Sequence, residues 1–297
     1  MMRIALFLAT NLAVLIIASI TLRLLGVEHY LSQSGSGLNL TSLLVFCGVF
    51  GMSGALISLL LSKTIAKFSA RVQIISQPQN AEQAWLVSTV QELAGKAGIG
   101  MPDVGIFPAH QSNAFATGWN KNNALVAVSE GLLRNMDRRQ IKAVLAHEIA
   151  HIANGDMITL SLIQGVINTF VMFFARIIGS FIDRAVLKNE NGHGIAYFVI
   201  VMVTEMVLAV LASIIVMWFS RYREFRADAG GAALTDKQAM ISALQSLKRE
   251  YELPDELPES MLAFGINGHW KQGLAKLFSS HPPLDMRIAA LQTIRDN

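Results

Sequence analysis

Long apolar runs separated by polar segments dominate the pattern of this chain. Four runs carry nearly all of the excess hydrophobicity: residues 4–22, 38–61, 157–182 and 195–219. A helix rises about 1.5 Å per residue, so about 20 residues cross the roughly 30 Å hydrocarbon core of a bilayer. The pattern therefore predicts a mainly α integral membrane protein with four hydrophobic helices. The polar segments, residues 62–156 and 220–297, predict one water-exposed domain that is split by a membrane hairpin.

The first two runs contain no charged residue within 4–22 or 38–61. A cleaved signal peptide is the alternative for the first run, because Arg3 precedes it. The run exceeds a usual signal-peptide core and has no convincing small-residue cleavage site, which favours a retained anchor. In the second run Gly48, Gly51 and Gly54 recur at three-residue spacing, which predicts close approach of a neighbouring helix.

The third and fourth runs contain charged residues, Arg176 and Glu205 respectively. An unpaired charge inside a span is costly, so these two side chains are predicted to form an ion pair. Snorkelling of Arg176 towards the interface is the alternative. Whether these two runs cross the bilayer completely stays open.

Composition supports the membrane assignment. Residues are 53% hydrophobic and 15% charged, whereas a soluble domain has roughly 25% charged residues. The net charge of +3 does not indicate nucleic-acid binding, because many basic residues flank apolar runs, where anionic lipid explains them. We therefore predict no nucleic-acid partner. The single cysteine, Cys47, excludes an intramolecular disulfide framework and a cysteine-based metal site.

Lysine and arginine accumulate on one side of the predicted spans. That side has Arg3, Lys63, Lys67, Arg71, Arg134, Arg138, Arg139, Lys142, Arg221, Arg223 and Arg226. The opposite side has only Arg184 and Lys188, with Arg23 near the boundary. By the positive-inside rule, both termini and both polar segments are predicted to be cytoplasmic.

The polar segments contain signals for helices and a small sheet. Asn80 with Gln83 resembles a capping box, and Thr235 with Gln238 gives a second capping signal. Short β-like runs cover residues 104–107, 113–117 and 124–129, a helix is predicted over 138–153, and a final helix over 283–294.

The helix over 138–153 contains an HExxH sequence, His147-Glu148-Ile149-Ala150-His151. Histidines four residues apart lie on one helix face, so both imidazoles can bind one tetrahedral zinc ion. Glu148 can then reach a water at that ion without being a ligand. The alternative is a helix with two incidental histidines.

A catalytic zinc of this type needs a third protein ligand, and Glu224 is the candidate. Asp228, four residues later, shares its helix face and can accept the free ring N–H of a ligand histidine. The alternative is an interfacial helix in which Glu224 pairs only with arginine.

The sequence resembles the HtpX membrane metalloproteases in three features. These are the HExxH sequence, a distal glutamate followed four residues later by an aspartate, and an apolar hairpin that separates the two. The type I CAAX prenyl proteases are more distantly similar. The resemblance covers essentially the whole chain and includes residues 113–118 and His281-Pro282-Pro283. It implies a gluzincin-like domain with one Zn²⁺ held by His147, His151 and Glu224, and Glu148 as general base. It also implies cytoplasmic-side cleavage of membrane proteins in quality control and stress response.

The same resemblance implies roles for two further pieces. Asn113, Ala114, Phe115, Ala116 and Thr117 correspond to a cleft-edge strand that binds an extended peptide, although the bare sequence fits an ordinary core strand. His281 corresponds to a donor to the carbonyl oxyanion or product, although a lone loop histidine is usually only solvated. Arg287 is expected to support the loop of His281.

The predicted organisation has four parts: residues 1–62 with two transmembrane helices, 63–156 with the HExxH helix, 157–219 as an apolar hairpin, and 220–297 with the third ligand.

His151 and Glu224 lie six and five residues from apolar runs, which predicts a metal site within roughly 10 Å of the membrane surface. We therefore expect unfolded segments of membrane proteins as substrates in a bacterial inner membrane, with unfolded soluble chains as an alternative. A peptidase for lipidated carboxyl termini, a transporter and a zinc-stabilised scaffold are competing functions, and the oligomeric state is not predicted.

Overall fold

The computed structural model describes residue 20 and residues 39–189, 194–252 and 281–293. Within these residues, three helices are long and apolar enough to cross a membrane: Leu40–Ser69, Asp156–Val186 and Ile195–Leu234. These helices coincide with the second, third and fourth apolar runs. Apart from Ile20, the first predicted span lies outside the described residues, so the count of four stays a prediction.

The described elements alternate between long helices and short strands. In chain order they are α1 (Leu40–Ser69), β1 (Gln73–Ile74), α2 (Ala81–Ala97), β2 (Asp103–Phe107), β3 (Ala114–Asn120), β4 (Asn123–Ser129), α3 (Glu130–Asn135), α4 (Arg138–Asn154), α5 (Asp156–Phe181) with a π-helical turn (Ile182–Val186), α6 (Ile195–Leu234), α7 (Lys237–Glu252) and α8 (Leu284–Thr293). The chain is therefore mainly helical with one small sheet, as predicted.

The chain divides into two compact units. Among the described residues, a helical unit comprises residues 39–58 together with those of 161–216, and a mixed unit comprises Leu59–Leu160 together with those from Met217 onward. The helical unit exposes large apolar side chains such as Val49, Phe198 and Met206. Such exposure is expected of helices that face lipid.

Close helix contact in the helical unit depends on glycine. A Cβ added at Gly51 of α1 would lie 2.7 Å from the backbone nitrogen of Thr169 in α5. A Cβ at Gly165 would lie 2.8 Å from Met52 Sδ, so each helix needs a small residue where it meets the other. The predicted close approach is confirmed at Gly51, whereas no atom lies within 4 Å of a Cβ at Gly54.

The two charges inside the helical unit meet. Arg176 Nη1 donates to Glu205 Oε1 at 2.8 Å and to the backbone oxygen of Met172 at 3.0 Å. The predicted ion pair is therefore confirmed. The pair removes the cost of an isolated charge in an apolar helix.

The mixed unit contains a four-stranded sheet in the order β1-β2-β4-β3. β2 and β4 are parallel, whereas the outer pairs are antiparallel. β4, one of the two central strands, is the most apolar, and its residues Leu125, Val126 and Ala127 are completely buried. Three strands were predicted from the sequence, but the two-residue β1 was missed because so short a segment shows no alternation.

Caps define where the helices of the mixed unit begin and end. Asn80 Oδ1 accepts from Gln83 N at 2.8 Å at the start of α2, as predicted. α4 begins with a capping box of Asp137 and Gln140 and ends at Gly155, whose φ of 70° suits glycine. The predicted cap of α7 at Thr235 is wrong: Asp236 accepts from Ala239 N, one residue later.

Candidate metal centre

α4 places the two histidines of the HExxH sequence side by side. Their Nε2 atoms lie 3.1 Å apart and the rings are nearly perpendicular, at 89°. His147 is buried and His151 half-buried. One turn of helix separates the two residues, which is why both rings reach the same point.

Glu224 of α6 completes a three-residue cluster with these histidines. Its Oε1 lies 3.3 Å from His151 Nε2 and its Oε2 lies 3.6 Å from His147 Nε2. Tetrahedral zinc with bonds of about 2.0–2.1 Å needs ligand atoms about 3.3 Å apart. The three side chains therefore fit a single metal ion of this size.

Two adjacent glycines allow α6 to approach α4 at this point. A Cβ on Gly231 would lie 3.0 Å from the backbone nitrogen of His147 and 2.4 Å from Met240 Cε. A Cβ on Gly230 would lie 2.9 Å from the Cβ of Ala150. The small residues after Asp228 therefore set the distance at which Glu224 reaches the histidines.

In each histidine, the N–H of the ring nitrogen that faces away from the cluster donates a hydrogen bond to a buried carboxylate. His147 Nδ1 donates to Asp228 Oδ1 at 2.9 Å, and His151 Nδ1 donates to Asp156 Oδ2 at 2.7 Å. With Nδ1 protonated, the Nε2 lone pair of a neutral ring is free for a metal. Asp228 takes the position expected from the sequence.

Asp156 was missed in the sequence. It is the first residue of α5, directly after the helix-ending Gly155, and only 1% of its surface is exposed. Arg226 Nη2 donates to its Oδ1 at 3.1 Å, and Arg223 Nη1 donates to its backbone oxygen at 2.8 Å. An acidic residue five positions after the second histidine, beyond a helix stop, was the available signal.

The surrounding carboxylates favour positive charge on the histidines. Burial opposes protonation of His151, but hydrogen bonds to Asp156 and Glu224 outweigh it and raise its pKa to about 9. Burial likewise opposes charge on His147, and hydrogen bonds to Asp228 and Glu224 still raise its pKa. The site therefore has an electrostatic preference for a cation.

Arg287 of α8 connects the carboxylates of α6. Its Nε and Nη2 donate to Asp228 at 2.8 and 2.6 Å, and its Nη1 lies 3.2 Å from Glu224 Oε2. The side chain is almost fully buried, with 6% exposed. The sequence suggested only that it supports the loop of His281, so its contact with both carboxylates was missed.

His281 and Glu148 face the same cleft. His281 Nδ1 lies 2.7 Å from Glu224 Oε2, and 61% of its side chain is exposed. Glu148 is half-buried, and its side chain borders the cleft next to His147. The arrangement places a carboxylate and an imidazole around the proposed metal position.

The cleft has a volume of about 1140 Å³ and is lined by parts of α4, α6, α7 and residues 281–287. Asn113 and Ala114 line it, whereas Phe115, Ala116 and Thr117 continue along β3. The backbone oxygen of Asn113 accepts from Ser129 N at 2.8 Å. Because alternate residues of an antiparallel strand bond to the partner, the backbone groups of Ala114 and Ala116 point away from β4, on the outer side of the sheet.

Comparison with known proteins identifies the family. The model of Peptidase family M48 matches residues 80–295, which include the three clustered residues. The chain belongs to peptidase family M48. Its relatives include proteins named Protease HtpX: one from Hahella chejuensis is 69% identical over 295 residues, covering 99% of this chain and 100% of the relative. Another, from Alcanivorax borkumensis, is 62% identical and covers 99% of each chain.

The fold is also similar to a solved structure, the crystal structure of S. mikatae Ste24p. The TM-score is 0.59, with 19% sequence identity, and the match covers 95% of this chain and 67% of that one. At this identity the similarity shows the fold alone. Together with the apolar helices, membership of M48 makes the chain a multi-pass membrane metalloprotease.

Proposed function

We propose that the chain is a zinc endopeptidase that cleaves unfolded segments of misfolded or damaged membrane proteins at the cytoplasmic face of the bacterial inner membrane. The observation that carries this proposal is the convergence of His147, His151 and Glu224 beside a cleft that also contains Glu148. A catalytic zinc site has three protein ligands and one open position, whereas a structural site has four protein ligands.

The ligand atoms favour zinc among common metals. Two imidazole nitrogens and one carboxylate oxygen are a set that catalytic zinc sites use. Asp156 and Asp228 hold the imidazoles in the tautomer that a metal requires, and Arg287 fixes Glu224 and Asp228 relative to each other. We assign Asp156 and Asp228 as positioning residues on this basis.

Glu148 is the proposed general base. When bound, zinc supplies a Lewis acid that polarises the scissile carbonyl and makes a water acidic near neutral pH. Glu148 takes the proton from the attacking water and then delivers it to the departing amine. His281, at the exposed rim of the cleft, donates to the developing oxyanion or to the product once its ring turns from Glu224.

The substrate is proposed to bind as an extended strand. β3 is the outer strand of the sheet among the described residues, so the backbone groups of Ala114 and Ala116 that point away from β4 can pair with a peptide, while side chains of that peptide enter the cleft. A folded domain does not offer such a strand. The geometry therefore favours unfolded segments over intact globular proteins.

The membrane setting supports membrane proteins as the substrate class. His151 lies six residues before Met157, where the third apolar run begins, and Glu224 lies five residues after Phe219, where the fourth run ends. Basic residues flank the polar ends of these runs, which favours a cytoplasmic location. Loops and damaged ends of membrane proteins on that side are within reach of the site.

The test uses purified full-length protein in proteoliposomes with a model membrane protein that carries an unfolded loop on one chosen side. We expect zinc-dependent cleavage of a loop on the side of residues 62–156 and none of the same loop on the opposite side. The Glu148→Gln variant should cleave neither. Cleavage on the opposite side would refute the proposed orientation, and activity equal to wild type in Glu148→Gln would refute the proposed chemistry.

A further inference from the structure

Three aromatic residues of α6 form one wall of the cleft: Trp218, Tyr222 and Phe225, here called the aromatic wall. Their spacing of four and three residues places them on one face of the helix. Trp218 and Tyr222 are 62% and 65% exposed, and Phe225 is half-buried. Large aromatic side chains with this exposure beside a reactive site are typical of a binding surface.

The aromatic wall is continuous with the catalytic residues. It lines the same cleft as His147 and Glu148, so a chain held there also reaches the metal centre. Elsewhere in the cleft, Val144, Leu244 and Leu247 present aliphatic side chains. A peptide in this cleft is therefore surrounded by apolar surface on more than one side.

The position of the aromatic wall along α6 indicates what approaches it. Trp218 lies within the last two residues of the apolar run, and Tyr222 follows three residues after its end. Leu211 and Ile215 precede Trp218 at helical spacing and are also exposed, at 56% and 57%. Trp and Tyr at such a boundary lie at the level of the lipid headgroups.

We propose that the aromatic wall binds the apolar stretch of a membrane-protein substrate where that stretch leaves the bilayer next to the scissile segment. The inference rests on the proposed function and specifies how its substrate is recognised. Anchoring to lipid alone would not require these side chains to line the cleft with Glu148. A soluble peptide has no apolar stretch that leaves the bilayer, so it does not depend on this contact.

The experiment compares two substrates with one shared cleavable sequence. In one substrate the sequence is joined to an apolar segment anchored in proteoliposomes, and the other is a free soluble peptide. The variants are Trp218→Ala and Tyr222→Ala, whose side chains are mostly exposed. Phe68→Ala is the matched control, because Phe68 is an aromatic residue near the end of α1 that is 89% exposed but does not line the cleft.

We expect KM for the anchored substrate to rise about fivefold to tenfold with Trp218→Ala or Tyr222→Ala, as expected for loss of one aromatic contact. KM for the soluble peptide should change less than about twofold, and the control should change neither value. An equal rise for both substrates would show a general role in peptide binding and overturn the proposal. An unchanged KM for the anchored substrate would overturn it as well.

Binding to Glu148→Gln protein separates this inference from the proposed function. Affinity for the anchored substrate, measured by photocrosslinking without turnover, should depend on Trp218 in the same way. If binding depends on Trp218 but wild type cleaves neither substrate, the proposed function is refuted, whereas the proposed binding role of the aromatic wall is supported. If wild type cleaves the substrates but binding does not depend on Trp218, only the proposed binding role of the aromatic wall is refuted.

Discussion

Replacing Asp156 by asparagine tests how the metal site is held. The carboxylate is 1% exposed and accepts from His151 Nδ1 at 2.7 Å, so it fixes the ring that presents Nε2 to the metal. Asparagine keeps the size but removes the charge, and it can turn its NH₂ group towards Nδ1. The ring then loses its preferred tautomer and part of its basicity.

The expected loss of zinc affinity is about tenfold to 100-fold, which corresponds to about 1.4–2.8 kcal/mol of binding free energy. Arg226, whose side chain is 57% exposed, can replace its bond to Asp156 with water, so its contribution to the loss is small. Most of the effect should therefore arise at His151.

Zinc affinity is measured by competition with a chromogenic chelator, alongside thermal melting with and without EDTA. A positioning role predicts a smaller zinc-dependent rise in Tm. Loss of the His151–Asp156 pair should also lower Tm in EDTA, so the zinc-dependent difference in Tm is the quantity to compare between the variant and wild type. Asp236→Asn is the control, because Asp236 caps α7 and pairs with exposed Arg139 away from the metal centre. Zinc affinity equal to wild type in Asp156→Asn would refute the reasoning.

Two further predictions concern packing and protons. Gly231→Ala places a Cβ 3.0 Å from the His147 backbone, so the free energy of unfolding should fall by about 1–3 kcal/mol in chemical denaturation. Gly95→Ala in α2, where no atom lies within 4 Å of a Cβ, should be neutral or stabilising, and the reverse order would contradict the packing argument. In chelator-stripped protein His151 has a pKa of about 9, so zinc must displace its proton at neutral pH. Apparent zinc affinity should therefore fall at least about tenfold as pH drops from 8 to 7; an affinity independent of pH, followed by the same chelator competition, would disprove this.

Structural features that depend on residues close together in the sequence were predictable. The HExxH helix, its glycine stop and the strands around residues 104–129 follow from local spacing and capping. Predicting Glu224 as a ligand required the assumption that its helix lies beside the HExxH helix, and Asp228, four residues later, supported that assumption. The structure brings Glu224 to both histidines, which supports that assumption.

Contacts that depend on how elements dock were not predictable. Asp156 meets His151 because the chain turns at Gly155. Arg287 meets Asp228 and Glu224 because α8 packs against α7, from where the arginine side chain reaches α6. Neither pair has a regular sequence spacing, since the partners of Arg287 are 59 or more residues away. Such buried polar contacts depend on how the elements pack together, and the periodicity of a helix or strand in the sequence does not predict that packing.

The most direct test measures bound zinc and cleavage on the same purified samples of wild type, Glu148→Gln and Glu224→Gln. We predict about one zinc per chain and cleavage of an unfolded membrane-anchored substrate for wild type. Glu148→Gln should keep the zinc and lose the cleavage, and Glu224→Gln should bind zinc much more weakly. Wild-type cleavage by Glu148→Gln, or wild-type zinc affinity in Glu224→Gln, would contradict the assignment of the site.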